Sequence, residues 1–209
     1  PRPPDPETEM PIYRALPLVW VLLLAACAAP DQRPPVAGDW SQHSAQLSTL
    51  THWTTRGKLA LRTEDQSESA QLIWRQLGQD SHLKLTGPLG VNATEVHSDG
   101  QQIQLIQGED IRSFDITQPE VVKRNTGWDL PLQSLPYWLK GLPSPHLEVQ
   151  SQELDPQRGL LRHLVQDDWQ IHYQAYDDFN AYTMPTRLLI ERGNTAVKVL
   201  LREWRPGPG

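Results

Sequence analysis

Apolar and polar residues alternate along most of this chain, and the period is two. His82-Leu83-Lys84-Leu85-Thr86, Gln102-Ile103-Gln104-Leu105, Trp169-Gln170-Ile171-His172-Tyr173-Gln174-Ala175 and Ala196-Val197-Lys198-Val199-Leu200 each put apolar side chains on one face and polar ones on the other. That is the pattern of a sheet with one wet side. Further runs at 57–62, 70–77, 93–97, 111–116, 147–152, 160–166 and 186–191 bring the expected total to about eleven strands. Turn signals fall between them: Gly78-Gln79-Asp80, Ser98-Asp99-Gly100, Gln107-Gly108-Glu109, Asp155 to Gly159 and Arg192-Gly193-Asn194. Links this short join antiparallel neighbours, and the helical crossovers of a parallel sheet have no counterpart in the pattern.

Helical periodicity is confined to three places. Trp40, His43, Leu47 and Leu50 fall on one side of a helix over residues 40–50. Two shorter helices are expected at 119–125 and 132–140, the second stopped by Gly141 and Pro143. The chain therefore reads as mainly β, a strongly curved antiparallel sheet with helices closing one side.

A different pattern occupies the N-terminus. Leu16 to Ala26 is an uninterrupted, mostly apolar run behind Arg14, of signal-peptide length and well short of the ~20 residues that a spanning helix needs. It ends in Leu22-Leu23-Leu24-Ala25-Ala26-Cys27, a lipobox: small residues before the chain's one cysteine. Residues 1–26 are thus expected to be a signal peptide, with 1–9 an extension before the true start at Met10. Cys27 is expected to carry lipid as the first residue of the mature protein. Residues 27–39, rich in Ala and Pro, read as a flexible tether. Residues 40–205 form one domain, and 206–209 a disordered tail. Ala28 after the cysteine, where inner-membrane retention favours Asp, points to the outer membrane.

Composition narrows the function. The net charge is −6 with no Lys/Arg cluster, which argues against nucleic acid as a partner. With Cys27 acylated, no thiol remains for a disulfide or a metal. The seven histidines are scattered without a ligand pair at helical spacing, although His163 and His172 could meet across a hairpin. There is no Gly-x-Ser-x-Gly elbow, His-Glu-x-x-His, phosphate loop or dinucleotide fingerprint. Asp167-Asp168 and Asp177-Asp178 bracket an aromatic strand but read more simply as turns. No catalytic residue, metal or cofactor is expected. Eight Trp stand against two Phe; each Trp is either core or the wall of an apolar pocket.

One loop stands apart. Thr86-Gly87-Pro88-Leu89-Gly90 sets a large apolar residue where a turn would normally carry Gly, Asn or Asp. Pro88 fixes its own φ and the glycines permit a sharp bend. Leu89 then either stands outward on a stiff finger or folds back into the core.

In order along the chain, the lipobox at Cys27, Thr55-Arg56-Gly57, Trp74, Gly78-Gln79-Asp80 and Pro88-Leu89-Gly90 are followed by Leu130-Pro131-Leu132, Ser134-Leu135, Trp138-Leu139 and Gly141-Leu142-Pro143. Tyr176-Asp177 and Met184-Pro185 complete the series. Together, over residues 40–205, these resemble the LolB family of outer-membrane lipoproteins, which receive other lipoproteins from the periplasmic carrier LolA. Gly87 departs from members that carry Asn there.

The resemblance implies an incomplete, unclosed antiparallel β-barrel with a lid of about three helices around an apolar cavity. It also implies outer-membrane anchoring through Cys27, acceptance of acylated cargo from LolA, and insertion into outer-membrane phospholipid by the loop Gly87, Pro88, Leu89 and Gly90. The protein is expected to be a monomer. Cavity-wall candidates on the strands are Leu72, Trp74, Leu83, Leu85, Ile103, Leu105, Ile171, Tyr173, Leu188, Ile190, Val197 and Val199. On the lid they are Leu135, Trp138 and Leu139. The competing readings are a lipid-anchored module that binds another apolar ligand or scaffolds an envelope complex, and a periplasmic hydrolase.

Overall fold

The computed structural model describes residues 38–90, 93–127 and 129–207. Cys27, the expected signal peptide and nearly all of the expected tether lie outside the described residues, as does Trp128. Two runs of antiparallel strands account for most of the rest. The first comprises β1 (His52–Arg62), β2 (Ser67–Leu77), β3 (Asp80–Thr86), β4 (Thr94–Ser98), β5 (Gln102–Gln107) and β6 (Asp110–Asp115). The second comprises β7 (Val149–Leu154), β8 (Leu161–Gln166), β9 (Trp169–Phe179), β10 (Tyr182–Arg192) and β11 (Thr195–Pro206).

All eleven strands belong to one sheet ordered β6-β5-β4-β3-β2-β1-β11-β10-β9-β8-β7. The first and last strands therefore meet in the middle, where Trp53 pairs with Pro206 and Arg62 with Ala196. Its two free edges, β6 and β7, are consecutive in sequence, so the barrel stays unclosed. Residues 116–148 connect these edges and carry α2 (Pro119–Thr126), a 3-10 turn over Leu132–Ser134 and α3 (Leu135–Lys140). The third helix, α1 (Trp40–Thr49), precedes the sheet. Its N-cap is Asp39, whose carboxylate accepts from the Ser41 and Gln42 amides at 2.8 and 3.4 Å.

Local chemistry explains the hairpins. Asp167 and Asp168 both have positive φ, 48° and 61°, as the two-residue turn between β8 and β9 requires. Asp177 and Asp178, by contrast, are not a turn: they pair with Met184 and Thr183 in the β9–β10 ladder, and Asn180 at φ 55° makes the reversal. Gly57 sits at a bulge where β1 shifts register against β11. A Cβ there would lie 2.0 Å from the Leu200 carbonyl oxygen, so only glycine lets the two backbones approach. On the β11 side the shift leaves Arg202 and Glu203 both exposed and returns Trp204 to the inner face. Pro206, expected in a disordered tail, instead ends β11, and Gly207 donates to the His52 carbonyl at 2.9 Å.

The inner face is packed unevenly. On β8–β10, Leu164, Ile171, Leu188 and Ile190 are sealed under α1 and α3, with Leu47 and Trp138 fully buried among them. A smaller cluster of Val96, Ile103, Leu105, Phe114, Ile116 and Val122 joins β4–β6 to α2. Residues 38–207 make one compact unit with its own core.

Candidate binding cavity

Between the two apolar clusters the sheet encloses a hollow of about 1400 Å³. Its walls follow the pleat, because alternate residues of a strand share a face. Ala70, Leu72, Trp74 and Gln76 come from β2; Ser81, Leu83 and Leu85 from β3; Thr94, Val96 and Ser98 from β4; Ile103, Leu105 and Gln107 from β5. β1 adds Trp53, Leu59 and Leu61, and β11 adds Val197. Along β2 the hollow reaches from Ser67 to Gly78, about 35 Å at the usual rise of an extended chain. Leu59, Leu83 and Leu85 point inward yet stay only half-buried, because they face empty space rather than packed neighbours.

Eight of the fifteen residues expected on a wall line this hollow: Leu72, Trp74, Leu83, Leu85, Ile103, Leu105, Leu135 and Val197. The other seven, Trp138, Leu139, Ile171, Tyr173, Leu188, Ile190 and Val199, do not. They belong to the packed half of the sheet. The reason is where α3 lands. Trp138 Nε1 donates to Gln166 Oε1 on β8 at 2.7 Å, and the Tyr173 hydroxyl on β9 donates to the Trp138 carbonyl at 3.0 Å. Burial first, and the neighbouring Tyr176 second, hold that phenol well above its ordinary pKa. Helix α3 thus turns Trp138 and Leu139 onto the sheet and presents Leu135, Pro136, Tyr137 and Lys140 to the hollow.

Polar side chains also reach the wall, and pattern reading gave no notice of them. Gln76 and Ser81 are buried there; Gln76 Oε1 accepts from Trp74 Nε1 at 2.9 Å and from the Ser81 hydroxyl at 2.6 Å. At the end nearest residues 87–90, Gln66, Ser67, Glu68, Gln107, Arg112 and Asn125 make a polar mouth. Arg112 is held there by Asp110 at 3.4 Å, the Gln107 side chain at 3.3 Å and the Asn125 carbonyl at 3.4 Å. Lys140 is the least expected: it is buried, and its ammonium donates to the Leu47 and Leu50 carbonyls at 3.3 and 2.9 Å. Desolvation brings its pKa down to about 8.

The loop at the polar mouth forms a 3-10 turn over Pro88–Gly90, in which the Gly90 amide donates to the Gly87 carbonyl at 3.2 Å. Gly87 and Pro88 line the hollow, and Pro88 and Gly90 are exposed. The Leu89 side chain lies outside what is described. His163 and His172 do meet across the β8–β9 hairpin, stacked at 4.4 Å. Among the described residues, however, no group of three or more His, Cys, Asp or Glu is placed to hold a metal.

An unclosed barrel around a lidded, largely apolar hollow defines a binding protein of the hollow-barrel class, distinct from a β domain with a solid core. A family model described as "Outer membrane lipoprotein LolB" matches residues 51–204. The chain belongs to this family. It is 32% identical over 198 residues to the outer-membrane lipoprotein LolB of Tolumonas auensis, covering 94% of this chain and 98% of that protein. Identity to the LolB of Aeromonas hydrophila is 34% over 195 residues, covering 92% and 96%. Among solved structures, a domain from Vibrio parahaemolyticus described as an outer membrane lipoprotein-sorting protein superposes with a TM-score of 0.52. It is 8% identical and covers 81% of this chain and 92% of that one, a likeness of fold alone.

Proposed function

We propose that this chain receives acylated lipoproteins from the periplasmic carrier LolA, holds their acyl chains in the hollow between β1–β5 and the helices, and releases them into the outer membrane. Family membership supports the receptor role and the general pairing with carrier and cargo, and it speaks against an enzyme. The observation that carries the reading is the hollow itself. At about 1400 Å³ it exceeds the roughly 300–1,000 Å³ of a pocket for a drug-sized ligand, and its walls are largely apolar, as acyl chains require. Each methylene exposed to water costs about 0.8 kcal/mol. A cargo with three chains must therefore be handed over without crossing water.

No nucleotide is needed for direction if each site binds acyl chains more favourably than the one before it, from carrier to this hollow to bilayer. The protein acts as a monomer. Its own lipid on Cys27 keeps the domain at the membrane, and the loop of Gly87, Pro88, Leu89 and Gly90 meets the phospholipid beside the polar mouth. The placement of Gly87 and Pro88 on the cavity rim supports that role.

The test mixes a soluble form, residues 27–209 with Cys27→Ala, with carrier loaded with a lipoprotein. Transfer of the cargo to the soluble form is expected. Cargo that stays on the carrier would overturn the reading in favour of a module binding some other apolar ligand.

A further inference from the structure

The hollow contains a charge that acylated cargo does not use. Lys140 is 6% exposed and lies on the cavity wall beside Leu50 and Leu135. An ammonium has three N–H donors. Two of them go to the Leu47 and Leu50 carbonyls, and among the described residues no carboxylate lies within 4.0 Å. The end of α1, which those carbonyls terminate, supplies only about half a negative charge. The Tyr137 ring, 5.8 Å away, adds a weak attraction. Burying a cation beside apolar surface with so little compensation is unfavourable. An N-acylated, S-diacylglyceryl cysteine is neutral at its lipid end, so acylated cargo leaves this charge unmatched.

Resting on the reading of the hollow as an acyl-chain site, we propose that Lys140 marks the head-group end of a second ligand class. That class is a single-chain lipid with one anionic head. Its tail lies along the apolar wall past Leu50 and Trp53, and an anionic oxygen takes the remaining N–H of Lys140. The head can be the carboxylate of a free fatty acid or the phosphodiester of a lysophospholipid, the products of acyl-ester hydrolysis at a membrane.

The two sources separate in a displacement experiment. The soluble form is loaded with the neutral dye Nile red at pH 7 and titrated with dodecanoic acid, lauroyl-lysophosphatidylglycerol or 1-dodecanol. At least one anionic lipid is expected to bind about tenfold more tightly than dodecanol, the margin of one charge-assisted hydrogen bond. Whichever does so identifies the source.

Lys140→Met should bring the ratio of anionic-lipid to dodecanol affinity down to about one, and Lys140→Arg should restore part of that ratio. Equal affinity for all three lipids in the wild type, or a margin that survives Lys140→Met, overturns the proposal. The wild-type comparison needs no variant, so a misfolded Lys140→Met would not protect the proposal from refutation. Failure of dodecanol and Nile red alike to bind would sink the acyl-chain reading itself, and this proposal with it.

Discussion

Trp138 and Gln166 are joined by a 2.7 Å hydrogen bond buried between α3 and β8. The Gln166 amide is fully used: its oxygen also accepts from the Ser144 amide at 2.8 Å, and its nitrogen donates to the Ser144 and Leu147 carbonyls, both at 2.8 Å. One side chain therefore fixes the helix, the segment after it and the strand beneath. Gln166→Ala would orphan three buried polar groups and the half-buried Leu147 carbonyl, and each unsatisfied buried group costs about 1–3 kcal/mol. A loss of at least 3 kcal/mol in urea unfolding is expected, roughly, with α3 loosened before the sheet. A change under about 1 kcal/mol would show that this network does not hold the lid.

The two halves of the inner face should respond oppositely to added bulk. Leu83 faces the hollow, so Leu83→Trp has room and should alter stability by less than about 1 kcal/mol while lowering Nile red uptake. Ile171 is fully buried under α3, and Ile171→Trp should cost about 1–3 kcal/mol or more by overpacking. Urea unfolding of both variants checks this, and equal costs would mean that the hollow is not retained in solution.

How much of this was legible beforehand depends on the residue. Leu83 and Ile171 sit in equally clear alternating runs, and the alternation correctly put both on the inner face. It does not say which inner face stays empty. That is settled by the landing of Trp138 on β8 and β9, a contact between segments far apart in sequence that has no period to read. Gln76, Ser81 and Lys140 escaped notice for a related reason. A polar residue at an inward position reads as a defect in a solid core, and only the hollow makes it part of a wall.

At the rim, Leu89→Glu is expected to leave cargo uptake unchanged and to abolish delivery to liposomes. Burying a leucine in lipid contributes about 1.5–3 kcal/mol, whereas a carboxylate resists entry. Uptake is read by transfer from loaded carrier and delivery by co-sedimentation of cargo with vesicles. Unchanged delivery would remove the loop from the mechanism.

Lys140 also ties stability to pH. Its pKa is about 8 in the folded protein against 10.5 ordinarily. The unfolded chain therefore binds the more protons between these values, and stability rises with pH across that window. The burial penalty is fully present below about pH 8 and relieved by about pH 10.5, worth up to roughly 3 kcal/mol. Lys140→Met should be the more stable form at pH 7, and its curve should lack this rise. Urea unfolding at pH 7, 8.5 and 10 measures both, and parallel curves would show that the ammonium remains hydrated.

The free edges of β6 and β7 carry a mechanical consequence. A closed barrel has a fixed girth, because widening it means tearing a ladder of backbone hydrogen bonds. Among the described residues no ladder bond spans the seam between β6 and β7, and residues 116–148 bridge it instead. The two halves of the sheet can splay while every strand keeps its partners, so girth is set by the soft side-chain contacts of the bridging segment. A receptacle of that kind adjusts its bore to guests of unequal thickness without unfolding any of its wall.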